Sequence, residues 1–140
     1  MDKNQNKTEF QQAGYRLLNI LLIESNFKRE INIDFQAGQP ENEVDISLET
    51  TLPNQENIFT IYFSLNFRSL RNEKEEVVAF LKMGGVFQRI GEPDLKLESF
   101  SEINGPAIMF PFLRENLASL TQKAGINQVL LPPLNFTKKK

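Results

Sequence analysis

The 140-residue chain contains no cysteine, no histidine and no tryptophan. Without cysteine there is no disulfide framework, and with neither histidine nor cysteine the usual zinc, copper, haem and thiol chemistries are absent. Every histidine-dependent catalytic arrangement goes with them. A reaction run by Asp/Glu or Lys/Tyr would be needed instead, and no pattern of residues supports one. No catalytic residue, metal or cofactor is therefore expected, and the chain does not read as an enzyme. An excess of positive charge is also missing. Sixteen Lys and Arg against 18 Asp and Glu give a formal charge of −2, which leaves no electrostatic footprint for a nucleic-acid partner. Long apolar runs are missing too. Residues 1–9, MDKNQNKTE, lack the apolar centre of a signal peptide, and nothing approaches the length of a membrane span. These absences point to a soluble, cytoplasmic protein that does not insert into membranes.

The length suits one domain able to bury about two-thirds of the surface its unfolded chain exposes. Residues 1–9 read as a disordered start, 10–137 as the domain and 138–140 as a basic tail. From Phe10 the pattern is ambiguous. Ala13, Gly14, Leu17, Leu18, Leu21 and Leu22 recur at helical spacing, yet the run Leu17–Ile23 also suits a strand covered on both faces. Phe27, Ile31, Ile33 and Phe35 share one parity and suggest extended structure, AGQPEN at 37–42 is turn chemistry, and Val44–Glu49 alternates like a half-buried strand. In Ile58–Arg68, Phe59, Ile61, Phe63, Leu65 and Phe67 share one face. Leu70–Lys74 makes a polar connection, and Glu76–Gln88 is a strand apolar on both faces, with a bulge, kink or close backbone approach at Gly84–Gly85. Gly91–Ser101 reads as a crossover.

The stretch Ile103–Phe136 has the densest pattern. Pro111 suits a first helical turn, Leu113, Leu117 and Leu120 form a stripe, and Lys123 with Gly125 signals the end, which predicts a helix over 111–123. Arg114 and Glu115 read as a charged face in water. Leu130–Phe136 comes next as LLPPLNF, whose adjacent prolines prevent helix and ladder alike, so it must be held by packing. The run Glu73, Glu75, Glu76 reads as a solvated turn, and Gly84-Gly85-Val86-Phe87 lacks the Gly-Lys-Ser/Thr of a phosphate loop. In excess is apolar aromatic surface, with 12 Phe against two Tyr. A two-faced apolar strand, a helix stripe and a proline loop exceed what one small domain covers. Surplus of that kind marks an oligomer interface or a groove for another chain.

Gly84-Gly85-Val86-Phe87, the block Gly105-Pro106-Ala107-Ile108-Met109-Phe110-Pro111-Phe112-Leu113-Arg114-Glu115, and Leu131-Pro132-Pro133-Leu134-Asn135-Phe136 resemble, in order and spacing, successive signatures of SecB, the bacterial protein-export chaperone. The likeness covers roughly residues 16–136. It implies an α+β fold, a four-stranded antiparallel sheet with a long C-terminal helix packed on it, and a strand from about Arg16 to Phe27. It further implies a homotetramer built as a dimer of dimers, which binds unfolded polypeptide or preprotein without ATP. By position, the resemblance places Ala79, Leu81 and Met83 at the contact between copies. It suggests Ile46, Leu48, Val86, Phe87, Leu130, Leu131 and Leu134 for the client groove. SecB-like proteins also serve antitoxins of toxin–antitoxin systems, so a dedicated antitoxin chaperone, or a single-partner binding protein, is the alternative. Two departures stand out. The chain ends at Lys140 without the family's acidic tail, and Lys28 and Phe80 stand where acids of the sheet patch are expected, with Glu24 matching one. Both put coupling to the SecA motor in doubt.

Overall fold

The computed structural model describes residues 11–12, 14–134 and 136. The expected disordered start, the basic tail and Asn135 of the Pro-x-Asn-Phe signature lie outside these residues, as do Phe10 and Ala13. The strands are β1 (Gln11–Gln12), β2 (Tyr15–Arg29), β3 (Glu41–Thr50), β4 (Ile58–Arg71) and β5 (Lys74–Arg89). They form one antiparallel sheet in the order β1-β2-β5-β4-β3. Four long strands and the two-residue β1 thus make the sheet. A short helical turn at Leu97–Ser99 passes through a π-helical stretch, Phe100–Asn104, into α1 (Gly105–Lys123), which packs on β4 and β5.

The central hairpin follows from its alternation. Phe59, Ile61, Phe63, Leu65 and Phe67 of β4 are each at most 1% exposed, and all point at the helix. Opposite them in register stand Phe87, Gly85, Met83, Leu81 and Ala79 of β5. Two residues turn the hairpin. Asn72 and Glu73 have φ of 53° and 65°, the left-handed pair that matches the twist of the flanking strands. The phenylalanines account for much of the core's shape: the Phe59 ring packs on Phe87 at 5.9 Å, Phe100 meets Phe87 edge-on at 5.1 Å, and Tyr15 stacks on Phe100 at 4.1 Å.

Two bulges explain why Leu17–Ile23 reads ambiguously. Register with β5 shifts between Leu17 and Asn19 and again between Leu22 and Glu24. Each shift flips the parity of the residues beyond it. The residues level with β5's core positions are therefore Leu17, Ile20, Leu22, Ser25 and Phe27, a set with no single period.

Several boundaries differ from the sequence reading. β2 ends at Arg29, and 30–40 forms the connection that carries the chain from one edge of the sheet to the other. The alternation of Ile31, Ile33 and Phe35 belongs to this connection and not to a strand. Gly91–Ser101 leads from β5 into the helix and crosses no strand. Pro111 is seven positions inside α1, with Pro106 in the first turn. It cannot donate the usual helical bond to the Ala107 carbonyl, and both Ala107 and Pro111 lie on the exposed side of α1, where such a loss is least costly.

Gly84 and Gly85 sit within an unbroken strand where other groups approach the backbone. A Cβ on Gly85 would lie 2.8 Å from the Met109 sulfur, and one on Gly84 would lie 3.3 Å from the Ile23 side chain on the other face. Gly105 admits the helix most closely. A Cβ there would lie 2.3 Å from Ile61 Cδ1, and Ile61 is wholly buried. Gly105→Ala should therefore destabilise by about 1–3 kcal/mol as an overpacked contact, more than the helix gains by losing a glycine. Ile61→Val removes the clashing methyl, so Gly105→Ala with Ile61→Val should be more stable to urea than the sum of the single changes. Strict additivity in the unfolding midpoints would contradict this packing.

Candidate functional site

One α-helix covers only the middle of the sheet, so the helix-side face continues past α1 on both flanks. On the β3 flank it presents Val44, Ile46 and Leu48, level with Phe67, Leu65 and Phe63 of β4. Val44 and Ile46 are 41% and 37% exposed. The chain after the helix turns back along this side. Gly125, with φ of 73°, ends α1, and the Thr121 hydroxyl accepts the Val129 amide at 3.0 Å. Arg114 donates from Nε to the Leu131 carbonyl at 2.6 Å. The Phe136 ring then packs on Phe63 and Phe110 at 5.8 and 6.2 Å. Since a proline segment cannot join a ladder, these side-chain contacts are what hold it.

At the hairpin end of the sheet, the 30–40 connection and the returning segment face each other across a cleft of about 700 Å³. Phe35 and Pro40 line one wall, Ile126, Val129 and Leu130 the other, and Phe67, Arg71, Glu76 and Val77 are among the residues below. Phe35 and Leu130 are more than half exposed, at 53% and 57%. Two arginines hold the walls. Arg71 forms a 2.7 Å ion pair with Glu76, the side chains only 8% and 10% exposed. Arg71 also donates to the Gly38 carbonyl and lies 5.6 Å from the Phe35 ring centre, a cation–π contact. Asn72 adds a bond to the Ala37 carbonyl at 2.9 Å. Arg29 ties the other wall: its guanidinium donates to the carbonyls of Ala124 at 2.6 Å and Ile31 at 3.0 Å. Backbone carbonyls of two loops are thus gripped by charged donors, the stronger class of hydrogen bond.

The cleft has a mixed lining: Gln39, Asn42, Ser69, Asn127 and Gln128 stand among the apolar wall residues, above the neutralised ion pair. Among the described residues there is no cluster of potential metal ligands, and none of the helices could cross a membrane. Such a surface can take up apolar side chains of another molecule.

The residues expected at the groove are only partly brought together. Leu130 lines the cleft, Leu131 and Leu134 belong to the same returning segment, and Ile46 and Leu48 lie on the helix-side flank of β3. Val86 does not join them: it is level with Thr60 and Asn19 on the opposite face of the sheet. Phe87 is 0% exposed within the aromatic core and has no surface to offer. Ala79, Leu81 and Met83, expected between copies, are 1%, 0% and 4% exposed under the chain's own helix. They cannot touch a partner, because the parity of β5 that stays accessible is that of Val78 and Phe80. Glu76, read as part of a solvated turn, is nearly buried, whereas Arg114 and Glu115 are exposed on the helix as expected, Arg114 also bonding the Leu131 carbonyl. Sequence reading missed Phe35, Arg71, Ile126 and Val129. Only an aromatic ahead of the turn AGQPEN hinted at the first.

The family model for the preprotein translocase subunit SecB matches residues 21–138. The protein-export protein SecB of Halorhodospira halophila is 32% identical over 114 residues, 75% of this chain and 66% of that protein. Its counterpart in Rickettsia bellii is 33% identical over 98 residues, 67% of this chain and 63% of its own length. The chain thus spans slightly under two-thirds of these relatives. Among solved structures, a SecB-like chaperone of Mycobacterium tuberculosis, in complex with a ChAD peptide from an antitoxin, superposes with a TM-score of 0.77. At 16% identity, over 88% of this chain and 92% of that one, the likeness is one of fold.

The ion pair beneath the cleft is testable. Arg71→Met leaves the Glu76 carboxylate buried without a partner, which costs about 3–5 kcal/mol. Changing both, Arg71→Met with Glu76→Leu, should recover most of that loss in urea unfolding. A single change costing no more than the double would contradict the burial assigned to this pair.

Proposed function

The chain belongs to the SecB family, and from that premise we propose that it is a cytoplasmic, ATP-independent chaperone that holds unfolded polypeptides, preproteins for export among them, in the cleft between the 30–40 connection and the segment after α1. The carrying observation is the pair of exposed apolar residues, Phe35 at 53% and Leu130 at 57%, that face each other across the cleft among amide side chains able to bond a peptide backbone. A buried apolar side chain gains about 1.5–3 kcal/mol, while ordering each residue of a flexible chain costs about 1–2 kcal/mol. Single contacts are therefore weak, and only an unfolded chain supplies enough of them. Copies of the cleft in one assembly raise avidity through effective concentration, and weak individual contacts allow release without nucleotide.

We take that assembly to be a homotetramer, a dimer of dimers. The edge strand β2 supports association: Leu18, Leu21, Leu22 and Ile23 are 42–49% exposed, an apolar edge costly to leave in water. On the opposite sheet face Lys28 and Phe80 stand where the family likeness leads one to expect acids, while Glu24 keeps one, so the SecA motor is left out of the proposed partners. A second reading is favoured by the antitoxin peptide held by the M. tuberculosis neighbour, namely capture of a single antitoxin-like partner on the same fold.

Equimolar protein should suppress aggregation of an unrelated refolding enzyme, followed by light scattering; no suppression at severalfold excess would sink the chaperone reading. Under the single-partner reading, one lysate protein is retained instead of many unfolded chains. Leu22→Asp should lower the mass found by light scattering after size exclusion, and an unchanged mass would refute the placement of the contact on β2.

A further inference from the structure

A buried ion pair is seldom what stabilises a fold, because well-packed apolar side chains of the same volume serve as well or better. Arg71 and Glu76 therefore call for another explanation. Both line the cleft and both are nearly buried, while Phe67 and Val77 beside them are apolar. Arg71 differs from an apolar residue in what it reaches beyond its partner. Its Nη1 donates to the Gly38 carbonyl, and its guanidinium carbon lies 5.6 Å from the centre of the Phe35 ring. An apolar side chain could not bond the carbonyl, nor attract the ring as a cation does.

The wall held by these contacts has few others. Within 32–39, the Gln36 and Ala37 amides donate to Asp34, which closes a local turn. Among the described residues, the hydrogen bonds that reach this stretch from outside come from Arg71 and from Asn72, which donates to the Ala37 carbonyl at 2.9 Å. Phe35 belongs to the same stretch, lines the cleft and is more than half exposed. A ring on a loose connection loses freedom when another chain covers it. A ring already held loses less, and the difference appears as affinity. Glu76 in turn holds the guanidinium: it takes the Nε proton at 2.7 Å, which leaves the rest of the planar fork for Gly38 and the ring.

Resting on the chaperone reading, we propose that Arg71 is a positioning residue for client capture: paired with Glu76, it fixes Gly38 and Phe35 so that the exposed side of the Phe35 ring is ready for an apolar or aromatic side chain of an unfolded chain. Glu76 orients the guanidinium, the guanidinium holds the wall, and the ring meets the client. The pair as a whole is thus a determinant of binding, and an apolar pair could replace it in the fold but not in this task.

The test measures binding of a labelled, uncharged peptide of alternating leucine and asparagine by fluorescence anisotropy. Arg71→Lys keeps a cation for Glu76, but its single nitrogen cannot serve the carboxylate, the Gly38 carbonyl and the ring together. It should weaken binding about fivefold or more, and Phe35→Ala, a change at an exposed ring, should weaken it similarly. Because Arg71 acts through the ring, both changes together should bind within about twofold of Phe35→Ala alone. Losses that multiply overturn the proposal, as does Arg71→Lys binding like wild type. Arg71→Met with Glu76→Leu supplies a second readout, since it places two apolar side chains on the floor. A purely structural pair then recovers binding along with stability, whereas a positioning pair recovers stability and still binds about fivefold more weakly. Restored binding overturns the proposal, and should this variant not fold, the cycle with Phe35 decides alone. If wild-type protein suppresses aggregation and the variants bind as well as it does, the role of Arg71 fails and the chaperone reading stands. Wild-type protein that neither suppresses aggregation nor binds the peptide ends both.

Discussion

A single α-helix, about 10 Å across, is set against a face whose outer long strands lie about 15 Å apart, and that mismatch in width governs the rest of the molecule. β4 and β5 lie under α1 and are sealed, with Leu81, Phe63 and Leu65 wholly buried. The flanks cannot be sealed by the same element. β2 and β3 therefore carry apolar residues into solvent or toward whatever covers them. The chain meets part of this need by folding its last segment back beside the helix, where Phe136 reaches Phe63 and Leu131 closes over the core. A cleft and two edges stay open.

Charge does unusual duty around that opening. Arg29, Arg71 and Arg114 each donate to backbone carbonyls of segments that have no ladder of their own. A loop with unpaired carbonyls would otherwise have to stay in water. By holding Gly38, Ala124 and Leu131, the three guanidinium groups keep two irregular segments apart and facing one another. The cleft is shaped by polar contacts behind its walls, and the walls carry Phe35, Ile126, Val129 and Leu130 among Gln39, Asn127 and Gln128.

Most of the fold was legible because its central elements obey simple periods. β4 reveals itself through five large residues of one parity, β3 through ValAspIleSerLeuGlu, and the end of α1 through Lys123 and Gly125. Where reading failed, a physical competitor had intervened. Bulges erased the period of β2. Pro111, which favours a first turn, sits mid-helix on the exposed side of α1, where a lost backbone bond costs least. The site was harder to see. Val86 and Phe87 are neighbours in a motif but point to opposite faces of one strand, and Ala79, Leu81 and Met83 are apolar because of the chain's own helix. Phe35 and Arg71 are far apart in sequence and meet only because the 30–40 connection crosses the hairpin end of the sheet.

The central claim is that unfolded polypeptide occupies the helix-side surface between the 30–40 connection, β3 and the segment after α1. Hydrogen exchange of the native assembly, read with and without a permanently unfolded client, tests it most directly. The account predicts new protection over 30–50 and 124–134, and none when the same client is supplied folded. Protection confined to the opposite sheet face, around Phe80 and Val86, or equal protection by the folded client, would contradict it.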